Sequence, residues 1–188
     1  PSIGGVGLIK NYKKMINMGL KKEGNLILVI GKTEGHLEQT VFAREVLSEK
    51  KGPPPEINLF NEKNNGLTIS KLIKDNLIET CHDVSLGGIL IAASKMCIKG
   101  NKGIKINNLK NLINKFEYFF SEDQGRYMVE INQENFKKVE KILHDNSVHF
   151  DELGVVNNDK FLFSDEIDLS IEDLIKAYKN WLKKYMVN

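Results

Sequence analysis

The segment His82-Asp-Val-Ser-Leu-Gly-Gly88 brings an imidazole, a carboxylate and a hydroxyl next to two glycines. It lies between a short apolar stretch and an apolar helix, and Ser85 is placed to cap that helix. Gly87 and Gly88 would let another backbone or an anion approach the first helical turn, where free N–H groups favour negative charge. The turn therefore predicts a phosphate-facing site that includes His82 and Asp83. A tight turn packed between a helix and a sheet, with no ligand, explains the same pattern.

A second polar loop, Ser121-Glu-Asp-Gln-Gly-Arg126, collects hydrogen-bond acceptors and one guanidinium. Four of its residues are of the types that bind a polar ligand or a metal-bound phosphate, namely Ser121, Glu122, Gln124 and Arg126. The alternative is an ordinary hairpin turn between two strands. The sequence has no P-loop, no H-E-x-x-H and no metal-ligand spacing of His or Cys, so we expect neither a catalytic residue nor a metal ligand in this chain.

The composition is that of one folded domain, with 41% hydrophobic and 28% charged positions among 188 residues. The net charge is only +2, and the lysines stand in short pairs without interleaved aromatic residues, so nucleic-acid binding is not expected. No apolar run approaches the roughly 18–20 residues of a membrane span. Cys81 and Cys97 do not form a C-x-x-C motif, which predicts buried, reduced thiols and a cytoplasmic protein.

Strands and helices are mixed along the chain without a strict βαβ period and without repeats. Strand-like runs occur at 5–9, 25–30, 78–82, 103–107, 117–120, 126–131, 148–156 and 161–163. Helical spacing of apolar residues occurs at 36–47, 58–76, 89–100, 109–114 and 135–144, and again from Ser170 onward. We therefore predict one α+β domain with a mixed β-sheet flanked by helices.

Two helices carry more detailed expectations. Asn64-Asn65-Gly66 is expected to bend the second long helix, since Asn and Gly are weak helix formers. Ser170 is expected to cap the last helix, which continues with acidic residues at its positive end. Trp181 and Leu182 are expected to dock that helix on the rest of the fold.

Five motifs in a fixed order resemble one known family. They are Pro1-Ser-Ile-Gly-Gly-Val-Gly-Leu8, Gly35-His-Leu-Glu-Gln39, Pro53-Pro-Pro-Glu-Ile-Asn-Leu59, His82-Asp-Val-Ser-Leu-Gly-Gly88 and Phe120-Ser-Glu-Asp-Gln-Gly-Arg-Tyr127. Together they resemble the C-terminal domain of phosphoribosylformylglycinamidine synthase, a purine-biosynthetic family built from two duplicated halves of the aminoimidazole ribonucleotide (AIR) synthetase type. The resemblance implies an α+β fold that is partly ferredoxin-like. The sequence departs from the family at Leu86, where Asp is common, and at Glu38, where Gly is common.

The resemblance implies that the longer protein performs an amidation that requires ATP and Mg²⁺. Formylglycinamide ribonucleotide, ATP and ammonia from a glutaminase partner would give formylglycinamidine ribonucleotide, ADP and phosphate. The family's catalytic histidine, magnesium-binding carboxylates and ATP-contacting loop lie before the matched motifs. The chain is therefore expected to be a single C-terminal domain, residues 1–188, that packs on the remaining domains, is inactive by itself and binds no nucleotide tightly.

The resemblance also gives a place to the two polar segments. The family's first half contains a counterpart of the Ser121–Arg126 loop that contacts substrate. In the second half, this loop and the His82–Gly88 turn are expected to face a pseudo-symmetric auxiliary nucleotide site.

Two other functions fit parts of the sequence. The chain would also suit another ATP-dependent member of the same superfamily, such as a selenophosphate synthetase or a hydrogenase maturation factor. A non-enzymatic interaction module is the second alternative, using the basic start of the chain or the acidic segment 151–173, which contains eight Asp or Glu and one Lys. The run of three prolines and the Phe120–Arg126 motif favour the purine family.

Overall fold

A seven-stranded sheet organises the chain in a computed structural model that describes residues 4–9, 11–107 and 114–187. The strands are β1 (Leu26–Ile30), β2 (Thr80–Asp83), β3 (Gly103–Ile106), β4 (Tyr127–Ile131), β5 (Phe150–Asn157), β6 (Lys160–Phe163) and β7 (Ile167–Ser170). The helices are α1 (Val41–Glu45), α2 (Leu59–Lys74), α3 (Gly88–Gly100), α4 (Lys115–Phe120), α5 (Phe136–Asp145) and α6 (Ile171–Val187).

Among the described residues the strand order is β2-β4-β1-β5-β3-β6-β7, and only the β3–β6 pair is parallel. The segments β1-α2-β2 and β4-α5-β5 interleave their strands as β2-β4-β1-β5, which is the ferredoxin-like arrangement of two split βαβ units. Between these units, β2 is followed by α3, β3 and α4. The mixed α+β sheet and its partly ferredoxin-like character are thus confirmed.

Two hydrophobic cores cover the two faces of the sheet. Ile27 and Val29 of β1 point to the layer that contains α3 and α4, whereas Leu28 and Ile30 point to the layer that contains α2 and α5. All four side chains are 0% exposed, and each contributes about 1.5–3 kcal/mol by leaving water. The unbroken apolar run in the sequence reflects this burial on both faces.

Two predicted strands are wrong. Residues 5–9 are exposed and form no regular structure, and both edges of β1 are already paired, with β4 and β5. Residues 117–120 belong to helix α4 because Asn114 starts that helix, its Oδ1 accepting from Phe116 N at 2.8 Å. The helical turn places Tyr118 and Phe119 in the core, so the predicted hairpin with β4 does not form.

The predicted helices hold with changed boundaries. The helix predicted at 36–47 is reduced to α1 because Gln39 has φ 62° and Thr40 caps only the following turn. Helix α2 is continuous from Leu59 to Lys74 and passes through Asn65, which is buried. Residues 109–113 lie outside the part of the chain that the structure describes.

The last helix is capped as predicted but docks elsewhere. Ser170 Oγ accepts from Asp173 N at 3.1 Å. Ile171 is buried, but Trp181 is 60% and Leu182 51% exposed, so the predicted docking residues are wrong. The physical reason is length, since the helix extends past the core it packs on. Strand β7, which leads into it, was not predicted.

Both cysteines are free thiols, and burial raises the pKa of each to about 12. Cys97 is buried as predicted, whereas Cys81 is only half-buried. Among the described residues, no helix has the length and apolar character needed to cross a membrane.

Candidate functional site

The turn between β2 and α3 is shaped by two glycines with positive φ. Gly87 has φ 86° and Gly88 has φ 72°. A Cβ on Gly88 would lie 2.5 Å from the carbonyl oxygen of Phe119, so only glycine lets α3 approach α4 this closely. The close backbone approach read from the sequence is confirmed. The predicted cap is wrong, because the helix starts after Gly87 with no side-chain cap, and the Ser85 carbonyl instead accepts from Gly88 N.

Glu122 supplies the negative charge at the start of α3. Its Oε1 accepts from Gly87 N at 2.8 Å and from Val41 N, at the start of α1, also at 2.8 Å. Unsatisfied N–H groups at helix starts attract anions. Here an internal carboxylate occupies that position and ties two helix starts to the loop after α4.

Asp123 binds a second set of backbone N–H groups. Its carboxylate accepts from Glu34 and Gly35 at 3.0 Å each and from His36 at 3.2 Å. Three consecutive N–H groups form an anion-binding concavity. The side chain of Asp123 fills it, and this residue was not singled out from the sequence.

The guanidinium of Arg126 lies beneath the loop and is 1% exposed. It donates to the carbonyl of Ser121 at 2.7 Å, to Thr33 Oγ1 at 3.0 Å and to the carbonyl of Asp123 at 3.2 Å. Burial lowers the pKa of Arg126, and Asp123 opposes that shift. The N–H groups of Arg126 are therefore used to shape the loop.

Ser121 is buried and His82 is half-buried beside the site. Ser121 is 0% exposed, and its Oγ has no hydrogen-bond partner among the described residues. His82 contacts Asp83 through Nδ1 at 3.2 Å, while its Nε2 is buried and unpartnered within the described part of the chain. Burial lowers the pKa of His82, Asp83 raises it and Lys95 lowers it further.

Helix α2 contributes residues that sequence reasoning missed. Asn65 Nδ2 donates to the carbonyl of Gly125 at 2.9 Å, and a Cβ on Gly66 would lie 3.4 Å from Tyr127 Oη. The Asn-Gly pair, for which the sequence predicts a bend, marks where the helix contacts the loop. A polar residue in the middle of an apolar helical face was the available signal.

These elements enclose a cleft of about 250 Å³. Three of the predicted site residues, Asp83, Ser85 and Gln124, line it with exposed side chains. Glu62 and Glu122 add carboxylates to its wall. The pKa of Tyr127 is raised chiefly by burial and secondly by the negative charge of Glu62. Leu86, the departure from the family pattern, is 65% exposed at the rim.

The cleft does not fit a phosphate or a magnesium ion as it stands. Its exposed lining side chains include no cation, and the Gly87 N–H group, which would attract an anion at the start of α3, already binds Glu122. The described residues contain no group of three or more His, Cys, Asp or Glu arranged to hold a metal. The structure brings the two polar segments together, and their contact with a nucleotide stays a prediction.

Comparison with known proteins identifies the domain. Residues 22–164 match the family described as AIR synthase related protein, C-terminal domain. The chain belongs to this family. It is 61% identical over 188 residues to the phosphoribosylformylglycinamidine synthase subunit PurL of Pelagibacter ubique and 35% identical to that of Bartonella bacilliformis. Both matches span the whole of this chain but only 26% and 25% of the length of the two relatives. They confirm the resemblance, and the chain corresponds to about a quarter of the length of these relatives.

Solved structures show the same fold. Thermotoga maritima PurL complexed with FGAR superposes with a TM-score of 0.68 at 18% identity, covering 87% of this chain and 30% of that one. The hydrogenase maturation protein HypE reaches a TM-score of 0.53 at 11% identity, covering 76% of this chain and 47% of that one. At these identities the likeness shows the fold alone.

Proposed function

We propose that the chain is the C-terminal domain of the synthetase subunit of a phosphoribosylformylglycinamidine synthase. The observation that carries the proposal is the 61% identity to PurL over all 188 residues, including the β7–α6 segment beyond the family match. In the longer protein, formylglycinamide ribonucleotide, ATP and ammonia would give formylglycinamidine ribonucleotide, ADP and phosphate. We place this reaction in the cytoplasm, consistent with the two free cysteines.

In this proposal the chain contributes structure and packing surface rather than reacting groups. Its anion-binding N–H groups are satisfied internally by Glu122 and Asp123. ATP and Mg²⁺ would be held by other parts of the longer protein. By itself the chain would be inactive and would bind no nucleotide tightly.

The ligand-facing role is proposed for the three open side chains of the cleft, Asp83, Ser85 and Gln124. The other predicted site residues would hold the cleft in shape, namely His82, Gly87, Gly88, Ser121, Glu122 and Arg126. A neighbouring domain that completes the cleft would then meet a carboxylate, a hydroxyl and an amide rather than a cation.

A glutaminase partner would supply the ammonia. One of the structural neighbours is an assembly, the PurLQS structure from Thermotoga maritima, with a TM-score of 0.64 at 18% identity. We propose a comparable assembly for the longer protein that contains this chain.

The test compares the full-length protein with the 188-residue chain. Each is incubated with formylglycinamide ribonucleotide, ATP, Mg²⁺ and ammonium, and product is measured by chromatography. We expect product only from the full-length protein, and no heat of ADP binding to the short chain in calorimetry. Absence of product from the full-length protein overturns the proposed function, whereas product from the short chain overturns its assignment as an inert domain.

A further inference from the structure

Residues 32–57, which run between β1 and α2, form one long surface segment that we call the strap. Thr40 and Ala43 are its only buried residues. The two hydrophobic cores, as far as the structure describes them, contain no strap residue. Segments that bury little apolar surface open at a lower free energy than the core of a protein. The strap is therefore held in place by contacts of another kind.

Two contacts link the strap to itself across α1. His36 Nε2 lies 2.9 Å from the carbonyl oxygen of Pro53. Gln39 Nε2 donates to the carbonyl of Gly52 at 2.8 Å. These contacts join the part of the strap before α1 to the part after it, so we expect the two parts to move together.

The hydrogen bonds that hold the strap on the fold involve the loop between α4 and β4. Asp123 accepts from the N–H groups of residues 34–36 at 3.0, 3.0 and 3.2 Å, and Glu122 accepts from Val41 N at 2.8 Å. Hydrogen bonds to ionised groups are roughly twice as strong as those between neutral groups. Two neighbouring carboxylates thus carry much of the polar attachment.

One aromatic contact adds to this attachment. The ring of Phe42, in α1, stacks on that of Phe120, in α4, with centroids 4.6 Å apart. Among the described residues, the hydrogen bonds and ring contacts that the strap makes outside its own length reach only α4 and the loop that follows it. Because every attachment ends on the same segment, the strap can open as a whole while both cores stay packed.

The attachment also shapes the cleft. The Glu122 oxygen that binds Val41 accepts as well from Gly87 N at the start of α3, and Glu122 lines the cleft. Thr33, at the start of the strap, accepts from Nη1 of Arg126 at 3.0 Å. Arg126 lines the cleft yet is 1% exposed, so the strap is part of what covers this cation.

We propose that the strap is a lid, which opens as one unit and is latched by the carboxylates of Glu122 and Asp123. When the strap is closed, the guanidinium of Arg126 is covered and the cleft presents no cation. When the strap opens, Thr33 leaves and Arg126 becomes accessible from the cleft. The inference rests on contacts within this chain and is independent of the reaction of the longer protein.

The first test is hydrogen exchange in the full-length wild-type protein, resolved to single amides by mass spectrometry. We expect the hydrogen-bonded strap amides from Glu34 to Glu49 to share one protection factor, at least about 100-fold below that of β1. Unequal protection within the strap would show that it does not open as a unit. Protection equal to that of β1 would show that it opens only on global unfolding. Either result overturns the inference.

Two variants of the full-length protein test the latch. In Glu122→Ala, we expect every strap amide to lose protection by a common factor of about 10–100, which corresponds to the loss of a hydrogen bond to a charged group, while β1 keeps its protection. The matched control Glu45→Ala removes an exposed strap carboxylate that pairs with Arg44 at 3.0 Å, and it should change protection by less than about threefold. Acceleration confined to Val41 would indicate a local contact in place of a latch and would overturn the inference.

Chemical modification tests the covering of Arg126. Phenylglyoxal modifies accessible guanidinium groups, and Arg44 and Arg126 are the only arginines of the chain. In Glu122→Ala, we expect Arg126 to be modified faster by the same factor as the strap amides exchange, whereas Arg44, which is exposed, should be modified at an unchanged rate. Equal modification of Arg126 in the variant and the wild type overturns the lid. None of these measurements uses a substrate, so failure of the proposed function leaves their outcome unaffected.

Discussion

The buried carboxylate of Asp123 is the contact whose loss we expect to destabilise the fold most. It is 5% exposed, and its oxygens accept three backbone N–H groups at 3.0, 3.0 and 3.2 Å. Its Oδ2 lies 3.8 Å from Arg126 Nη1. In Asp123→Asn the volume is kept, but an NH₂ group faces backbone donors and the buried guanidinium loses the carboxylate beside it.

The expected magnitude follows from these contacts. Removing one partner of a buried ion pair typically costs about 3–5 kcal/mol. Unfolding entropy of about 2.1 cal/mol/K per residue gives roughly 0.4 kcal/mol/K for this chain. The melting temperature of Asp123→Asn should therefore fall by about 8–13 °C.

The assay is urea denaturation and thermal melting by circular dichroism on the 188-residue chain. The control is Asp75→Asn, which removes an exposed carboxylate paired with Lys71 at 2.7 Å and should change stability by no more than about 0.5 kcal/mol. Hydrogen exchange should also accelerate at the Gly35 N–H group in Asp123→Asn. A loss below about 1 kcal/mol, with an unchanged denaturant slope, would refute the assigned role of this carboxylate.

Three further outcomes are expected. Gly88→Ala should lower the free energy of unfolding by more than about 3 kcal/mol, because its Cβ would lie 2.5 Å from a carbonyl oxygen of α4. The control Gly24→Ala, with φ 82° and nothing within 4 Å of its Cβ, should lower it by only about 1–2 kcal/mol. Equal losses in chemical denaturation would contradict the steric argument. Burial raises the pKa of Cys81 and of Cys97 to about 12. Both thiols should therefore react with iodoacetamide at pH 8 at least about 100-fold more slowly in the folded chain than in urea, as followed by mass spectrometry. Rapid labelling of folded Cys97 would disprove its burial. Burial lowers the pKa of His82 below its ordinary 6.5, so the unfolded chain binds a proton on this imidazole more readily than the folded chain, and the free energy of unfolding falls as the pH drops through that value. His82→Gln should flatten this fall in stability between about pH 7.5 and 5.5. An unaltered slope would count against the linkage.

The elements predicted well are those with strong local signals. Helix α5 shows apolar residues at helical spacing and β1 is one apolar run, so pattern alone locates both. The strand predicted at 117–120 is wrong because an aromatic run this short has no periodicity that distinguishes a strand from a helix. Asn114, with its cap on α4, decided that segment as a helix.

The candidate site divides in the same way. The glycines before α3 and the polar loop before β4 were visible as unusual residue types. Their use was not, since Glu122 meets partners 35 and 81 positions away and Asp123 meets partners 87 to 89 positions away. Residues of ligand-binding type therefore turned out to hold the backbone of the site itself.

The sequence by itself determined the fold class, the main helices, the capped start of α6 and, through the order of its motifs, the family. These depend on local periodicity and on residue types, both of which can be seen in the amino-acid sequence alone. The tertiary structure alone decided that internal carboxylates fill the anion-binding turns and that α6 extends past its core. Both depend on which distant segments meet, because burial and charge compensation are properties of the packed chain.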